Sequence, residues 1–235
     1  MKRFFLLPLV SAFLFSSYAH AHHIWIEQKK QSANLYFGEF MENLRETSPG
    51  LLDKFVNPTA TLYGNKGERK LSLKKINNAF ILSAHAGKNE TILVEETSFP
   101  IRERHGSKVW TTFGARLVTS DASVDPKLTL DIVPTNKKGQ FKVTFRDQPL
   151  QKAKVEILTP SGWVKEGWTN EQGLVSFDQP WRGIYVVEVR YIDKTPGYRN
   201  GDAYDVARFV STLSLNNLKG IKALPALPAA KPKSA

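Results

Sequence analysis

The 235-residue chain contains no cysteine. Disulfides, thiolate zinc sites and a cysteine nucleophile are therefore excluded, and ordinary hydrophobic cores must hold the fold. It also lacks a Gly-x-Ser-x-Gly elbow and a His-Glu-x-x-His helix, and no pair of acids is singled out by spacing. These absences argue against an enzyme. No internal repeat of fixed period occurs. Lys and Arg number 33 against 22 Asp and Glu, a formal charge of +11, yet there is no run of five or six basic residues and no nucleic-acid motif. Nucleic acid is not expected as a partner; the charge serves solubility or attraction to an anionic surface.

What is present begins with an address label. Lys2 and Arg3 precede the apolar run Phe4 to Phe15, which only Pro8 and Ser11 interrupt. Ala19-His20-Ala21 then offers small residues at −3 and −1, the pattern of a cleaved secretory signal peptide. The run is shorter than the roughly 20 residues of a membrane span, and no second apolar stretch follows. The expectation is a periplasmic protein with no transmembrane segment after cleavage. A cut after Ala21 leaves His22 first and about 214 residues, room for one large domain or two small ones. A cut after Ala19 leaves His20 first. Either cut gives a histidine with a free α-amine, which can chelate a metal through two nitrogens. The second also puts an imidazole third, the arrangement that encloses square-planar Cu(II) or Ni(II).

From Gln28 onward, short alternating apolar and polar stretches are separated by Gly and Asn. Examples are Thr59 to Tyr63, Leu71 to Leu73, Ala79 to Leu82 and Thr91 to Val94, with turns at Gly64-Asn65-Lys66-Gly67 and Gly87-Lys88-Asn89. This is the signature of an all-β sandwich or barrel. Ser48 to Phe55 predicts one helical turn, with Ser48 as cap and Pro49 at the first helical position. Arg102 to Val118 is ambiguous apart from a strand over Val109 to Phe113. The polar stretch Ser120 to Pro126 marks a boundary. Beyond it Phe141 to Phe145, Ala153 to Ile157, Leu174 to Phe177 and Ile184 to Tyr191 alternate more cleanly, and Ala207 to Leu215 closes the pattern. The reading is a signal peptide over 1–21, β-sandwich domains over 22–125 and 126–215, and a disordered Ala/Pro/Lys tail over 216–235.

His22-His23-Ile24-Trp25-Ile26-Glu27 after a signal peptide resembles the opening of the DUF4198 family, exported bacterial proteins related to periplasmic components of nickel and cobalt uptake systems. Leu128 to Pro134 and Tyr204 to Leu215 are similar to later strands of that family. Gln148 to Gly173 resembles a prealbumin-like, carboxypeptidase-regulatory-like sandwich. The resemblance implies a non-enzymatic metal-binding protein that serves a membrane metal-uptake transporter, with the histidine three residues before Trp25, His22, as ligand.

The candidate metal ligands are His22, His23, His85, His105 and Glu27, for a divalent transition metal: nickel, cobalt or copper. Glu27, Glu39 and Glu42 could ligate through oxygen or orient an imidazole. Two alternatives stand beside this reading. One is a copper oxidoreductase using an N-terminal histidine brace on polysaccharide, for which Trp163, Trp168 and Trp181 could form an aromatic platform. The other is a structural or adhesive envelope module.

Overall fold

The computed structural model describes residues 22–232, so the expected signal peptide lies outside the described residues. The first half forms β1 (His23–Lys29), β2 (Ser32–Glu39), β3 (Leu44–Arg45), β4 (Thr59–Gly64), β5 (Gly67–Leu71), β6 (Leu73–Ile76), β7 (Ala79–Leu82), β8 (Thr91–Glu96), β9 (Arg102–Arg104) and β10 (Ser107–Val118). The second half forms β11 (Leu130–Pro134), β12 (Gln140–Phe145), β13 (Gln148–Pro149), β14 (Lys154–Leu158), β15 (Val164–Trp168), β16 (Leu174–Ser176), β17 (Gly183–Asp193), β18 (Gly197–Arg199), β19 (Asp202–Tyr204) and β20 (Val206–Asn217). The fold is all-β and sandwich-type, as the alternation predicts, with no α-helix among the described residues. The ambiguous stretch before the boundary resolves into β9 and the long strand β10.

Three sheets stack in layers, and β18 and β19 pair as a separate ribbon. The first runs β1-β2-β7-β6 with β3 beside β2; the third joins β11, β12, β13 and β16. Between them a nine-stranded sheet runs β15-β14-β17-β20-β10-β8-β4-β5, with β9 beside β10. β20 is its pivot. It pairs antiparallel with β17 from Ala207 to Asn217, and parallel with β10 from Val206 to Ser214. Strands from both sides of residue 125 thus lie in one continuous sheet. Alternate side chains of β20 enter different cores. Phe209 and Leu213 pack with Ile132 and Val143 of the third sheet, whereas Val210 packs with Ile24, Ile26 and Phe37 of the first.

Two polar contacts fix these layers. β1 is an edge strand whose outer backbone groups would otherwise be buried without partners. Hydroxyls from β20 supply them: Ile26 N–H donates to Ser214 Oγ at 3.3 Å, and Thr212 Oγ1 donates to Ile24 C=O at 2.6 Å. On the opposite layer, Arg116 of β10 grips Asp131 of β11 with two bonds, at 3.0 and 2.5 Å. Both residues are wholly buried, and Lys127 and Leu128 N–H also donate to the Asp131 carboxylate.

Two expectations need correction. The predicted helical turn is a single 3-10 turn over Leu51–Lys54, with Gly50 rather than Ser48 ahead of it. Ser48 instead hydrogen-bonds the Asp53 side chain, which also accepts from Gly50 N–H. The tail is not without partners either. Asn216 and Asn217 still belong to β20, and the chain beyond is laid along the surface by backbone bonds. Ile221 N–H donates to Pro180 C=O, Leu227 N–H to Pro160 C=O and Ala230 N–H to Asn43 C=O. Composition foresaw the lack of buried apolar surface, since Leu218, Ile221, Leu224 and Leu227 remain exposed. It could not foresee backbone docking, which needs no side chain.

Asp131→Ala should lower the unfolding free energy by about 3–5 kcal/mol in urea denaturation, because it strands a buried guanidinium. The double replacement Arg116→Met with Asp131→Leu should recover much of that loss.

Candidate functional site

The candidate site lies where β1 begins. β1 and β2 pair along their length, from His23 opposite Gly38 to Lys29 opposite Ser32. At Gly38 the backbone adopts a positive φ of 150°, and a Cβ there would lie 2.2 Å from Leu44 C=O. Only glycine lets β3 fold this closely against β2. The fold-back brings Glu46 N–H onto Phe37 C=O at 2.8 Å and sets Glu46 beside the start of β1.

His22 sits between two carboxylates. Its Nε2 is 2.6 Å from Glu46 Oε1 and its Nδ1 3.3 Å from Glu39 Oε1. The ring rests on Phe37, with centroids 5.1 Å apart. Both glutamates are buried, while about a quarter of the His22 side chain is exposed (27%). Two buried carboxylates thus flank one imidazole. Acidic groups gathered in a buried setting favour a cation at this point.

His23 points the other way, because successive strand residues alternate faces. It is buried, with Nδ1 3.0 Å from Glu188 Oε2 and Nε2 accepting from Phe40 N–H at 3.2 Å. Its ring meets Trp25 edge-on at 5.5 Å. Glu188 also contacts Arg190 at 2.5 Å. Burial pushes the Glu188 carboxyl up, but the neighbouring His23 and Arg190 outweigh it and hold the group below the usual carboxylate range. His23, Glu39, Glu42, Glu156, Glu188 and Arg190 border a void of about 10 Å³, close to the space of one water molecule.

The remaining predicted ligands do not join His22. Glu27 accepts from Trp25 Nε1 at 2.9 Å and from Arg45 at 2.7 Å, and Arg45 stacks on Tyr36. Glu27 therefore ties β1 to β3. Exposed His85 adjoins Ala86, whose backbone is bonded both ways by Gln28. It lies toward the far end of β1, about 20 Å from His22 at roughly 3.3 Å per residue. His105 is exposed in the β9–β10 turn with φ 50°. Among the described residues no group of three or more His, Cys, Asp or Glu is arranged to hold a metal ion.

No protein-family model and no curated protein matches the chain.

Glu39 was legible as a candidate; Glu46, Glu188 and Arg190 were not. Glu46 follows a two-residue strand that carries no periodic signal, and Glu188 sits within an apolar strand whose partner is 165 residues away in sequence (188 − 23). The tryptophans form no flat platform. Trp163 and Trp181 meet edge-to-face at 5.1 Å against the second core, and Trp168 is exposed on β15.

Glu188 contributes stability that is fully present above its ordinary value near 4.5 and is lost as pH falls through its lower folded value. Glu188→Gln should cost about 1–3 kcal/mol at neutral pH. It should also flatten the acid side of the stability curve, read by urea unfolding between about pH 7 and about pH 3.

Proposed function

We propose that the chain is an exported, non-enzymatic periplasmic protein that binds a divalent transition metal at a mature amino-terminal His22. The observation that carries this reading is the His22 imidazole held between the buried Glu39 and Glu46 carboxylates. Cleavage after Ala21 would add an α-amine to the same residue. The resulting donor set is a bidentate amine–imidazole pair, suited to copper, nickel or cobalt, with two carboxylates to balance the ion's charge and orient the ring. The donors fit such an ion only if His22 exchanges a carboxylate contact for it. The resemblance of the opening motif to the DUF4198 family supports nickel or cobalt as cargo and a membrane uptake transporter as partner.

The copper oxidoreductase reading has less support. A histidine brace needs a second imidazole near the first. His23 lies on the opposite face of β1, committed to Glu188 and Phe40, and His85 and His105 are carried by separate turns.

The test is titration of Cu(II) and Ni(II) into three proteins: one beginning at His22, one with a single residue added before it, and His22→Ala. The first should bind at least about tenfold more tightly than the other two, because each loses half of the chelate. Affinity should fall on acidification, since both ligands must be deprotonated. Equal affinities would overturn the site, and no binding by any of the three would favour a structural envelope module.

A further inference from the structure

A second concavity lies away from His22. It is a groove of about 630 Å³, within the roughly 300–1,000 Å³ range of small-molecule sites. It is bordered by the far end of β1, the ends of β10 and β20 and the start of β17. Its surface is more apolar than polar, with Leu117, Ile184 and Leu215 beneath it and Leu218, 77% exposed, on its wall.

The rim is cationic. Lys29 ends β1 and Lys30 opens the β1–β2 turn, Lys138 comes from the β11–β12 turn and Lys219 from the segment after β20. Three separate stretches of chain thus bring four ammonium groups to one opening. Among the described residues the lysines in ion pairs are Lys75, Lys154 and Lys165, and none of them is on this rim. Of the acids there, Glu27 is already held by Arg45, which leaves Asp121 as the remaining countercharge. Lys30 also occupies a left-handed position, φ 49°, where a turn ordinarily selects Gly, Asn or Asp.

An apolar trough under an unpaired cationic rim is complementary to a molecule with one anionic end and one hydrocarbon end. We propose that this groove binds a single-chain amphipathic anion, a long-chain carboxylate or alkyl phosphate, with its head at the lysines and its chain over Leu117, Ile184, Leu215 and Leu218. Exposed lysines alone hold a small anion weakly. Discrimination must come from the chain, at about fourfold in affinity per buried methylene.

The test uses the full processed chain and calorimetric titration below micelle-forming concentrations. Laurate and dodecyl phosphate should each bind saturably at one per chain. Octanoate should bind at least tenfold more weakly, by the methylene increment, and inorganic phosphate should give no saturable binding. The triple variant Lys29→Glu, Lys138→Glu, Lys219→Glu should weaken laurate at least about tenfold while leaving the urea midpoint and metal titration unchanged. Leu218→Ser should weaken laurate without altering the salt dependence. Absence of saturable laurate and dodecyl phosphate binding, or binding indifferent to charge reversal, would overturn the proposal. So would inorganic phosphate binding as tightly as laurate, which would mark an anion site only. Association with phosphatidylglycerol vesicles without binding of free laurate would assign the charge to a membrane surface instead.

Discussion

The contact on which the architecture turns is the meeting of an edge strand with the face of a central one. β1 runs along β20, and its outward backbone groups are answered by the Thr212 and Ser214 hydroxyls. Thr212→Val or Ser214→Ala would roughly keep the side-chain volume but leave a peptide group without a partner in a dry interface, at a cost of about 1–3 kcal/mol. The same contact aims the beginning of β1. With Ile24 and Ile26 committed to the first core, alternation sends His23 and Trp25 toward β14 and β17, and leaves His22 facing Glu39 and Glu46.

β20 can serve two layers because it is buried on both faces. Its residues from Phe209 to Leu215 are all buried, as expected of a strand with packing on either side. Val210, Thr212 and Ser214 share one face, and Phe209, Ser211, Leu213 and Leu215 the other. The Thr212 and Ser214 hydroxyls meet β1 on the first face, and Phe209, Leu213 and Leu215 fill the second core on the other. The Arg116–Asp131 pair fixes the third sheet against β10 on the other side. Such a pair costs desolvation and is weak evidence for net stability, but it sets where β11 must sit.

Charge is divided along β1 in a way that separates two chemistries. Near its start, acids gather: Glu39, Glu42, Glu46, Glu156 and Glu188 surround two histidines and Arg190. Near its end, lysines gather over an apolar groove. A net charge of +11 conceals this segregation, because the sum carries no information about position. The acidic end favours cations and the basic end favours anions on electrostatic grounds.

Local pattern by itself determined a good deal. Period-two alternation with Gly and Asn punctuation specified an all-β sandwich, because a strand's faces follow from its own sequence. His22 and His23 ahead of Trp25 stand out in the sequence as adjacent histidines. What only the tertiary structure decided was every relation between distant segments. These include the parallel pairing of β10 with β20, the docking of the tail by backbone bonds, the turning of His23 to Glu188 and the closing of Glu46 onto His22. Each joins residues that alternation treats as independent. A carboxylate reads the same in sequence whether it meets solvent, an arginine or an imidazole; folding assigns the partner, because burial is a property of the packed chain and not of the residue.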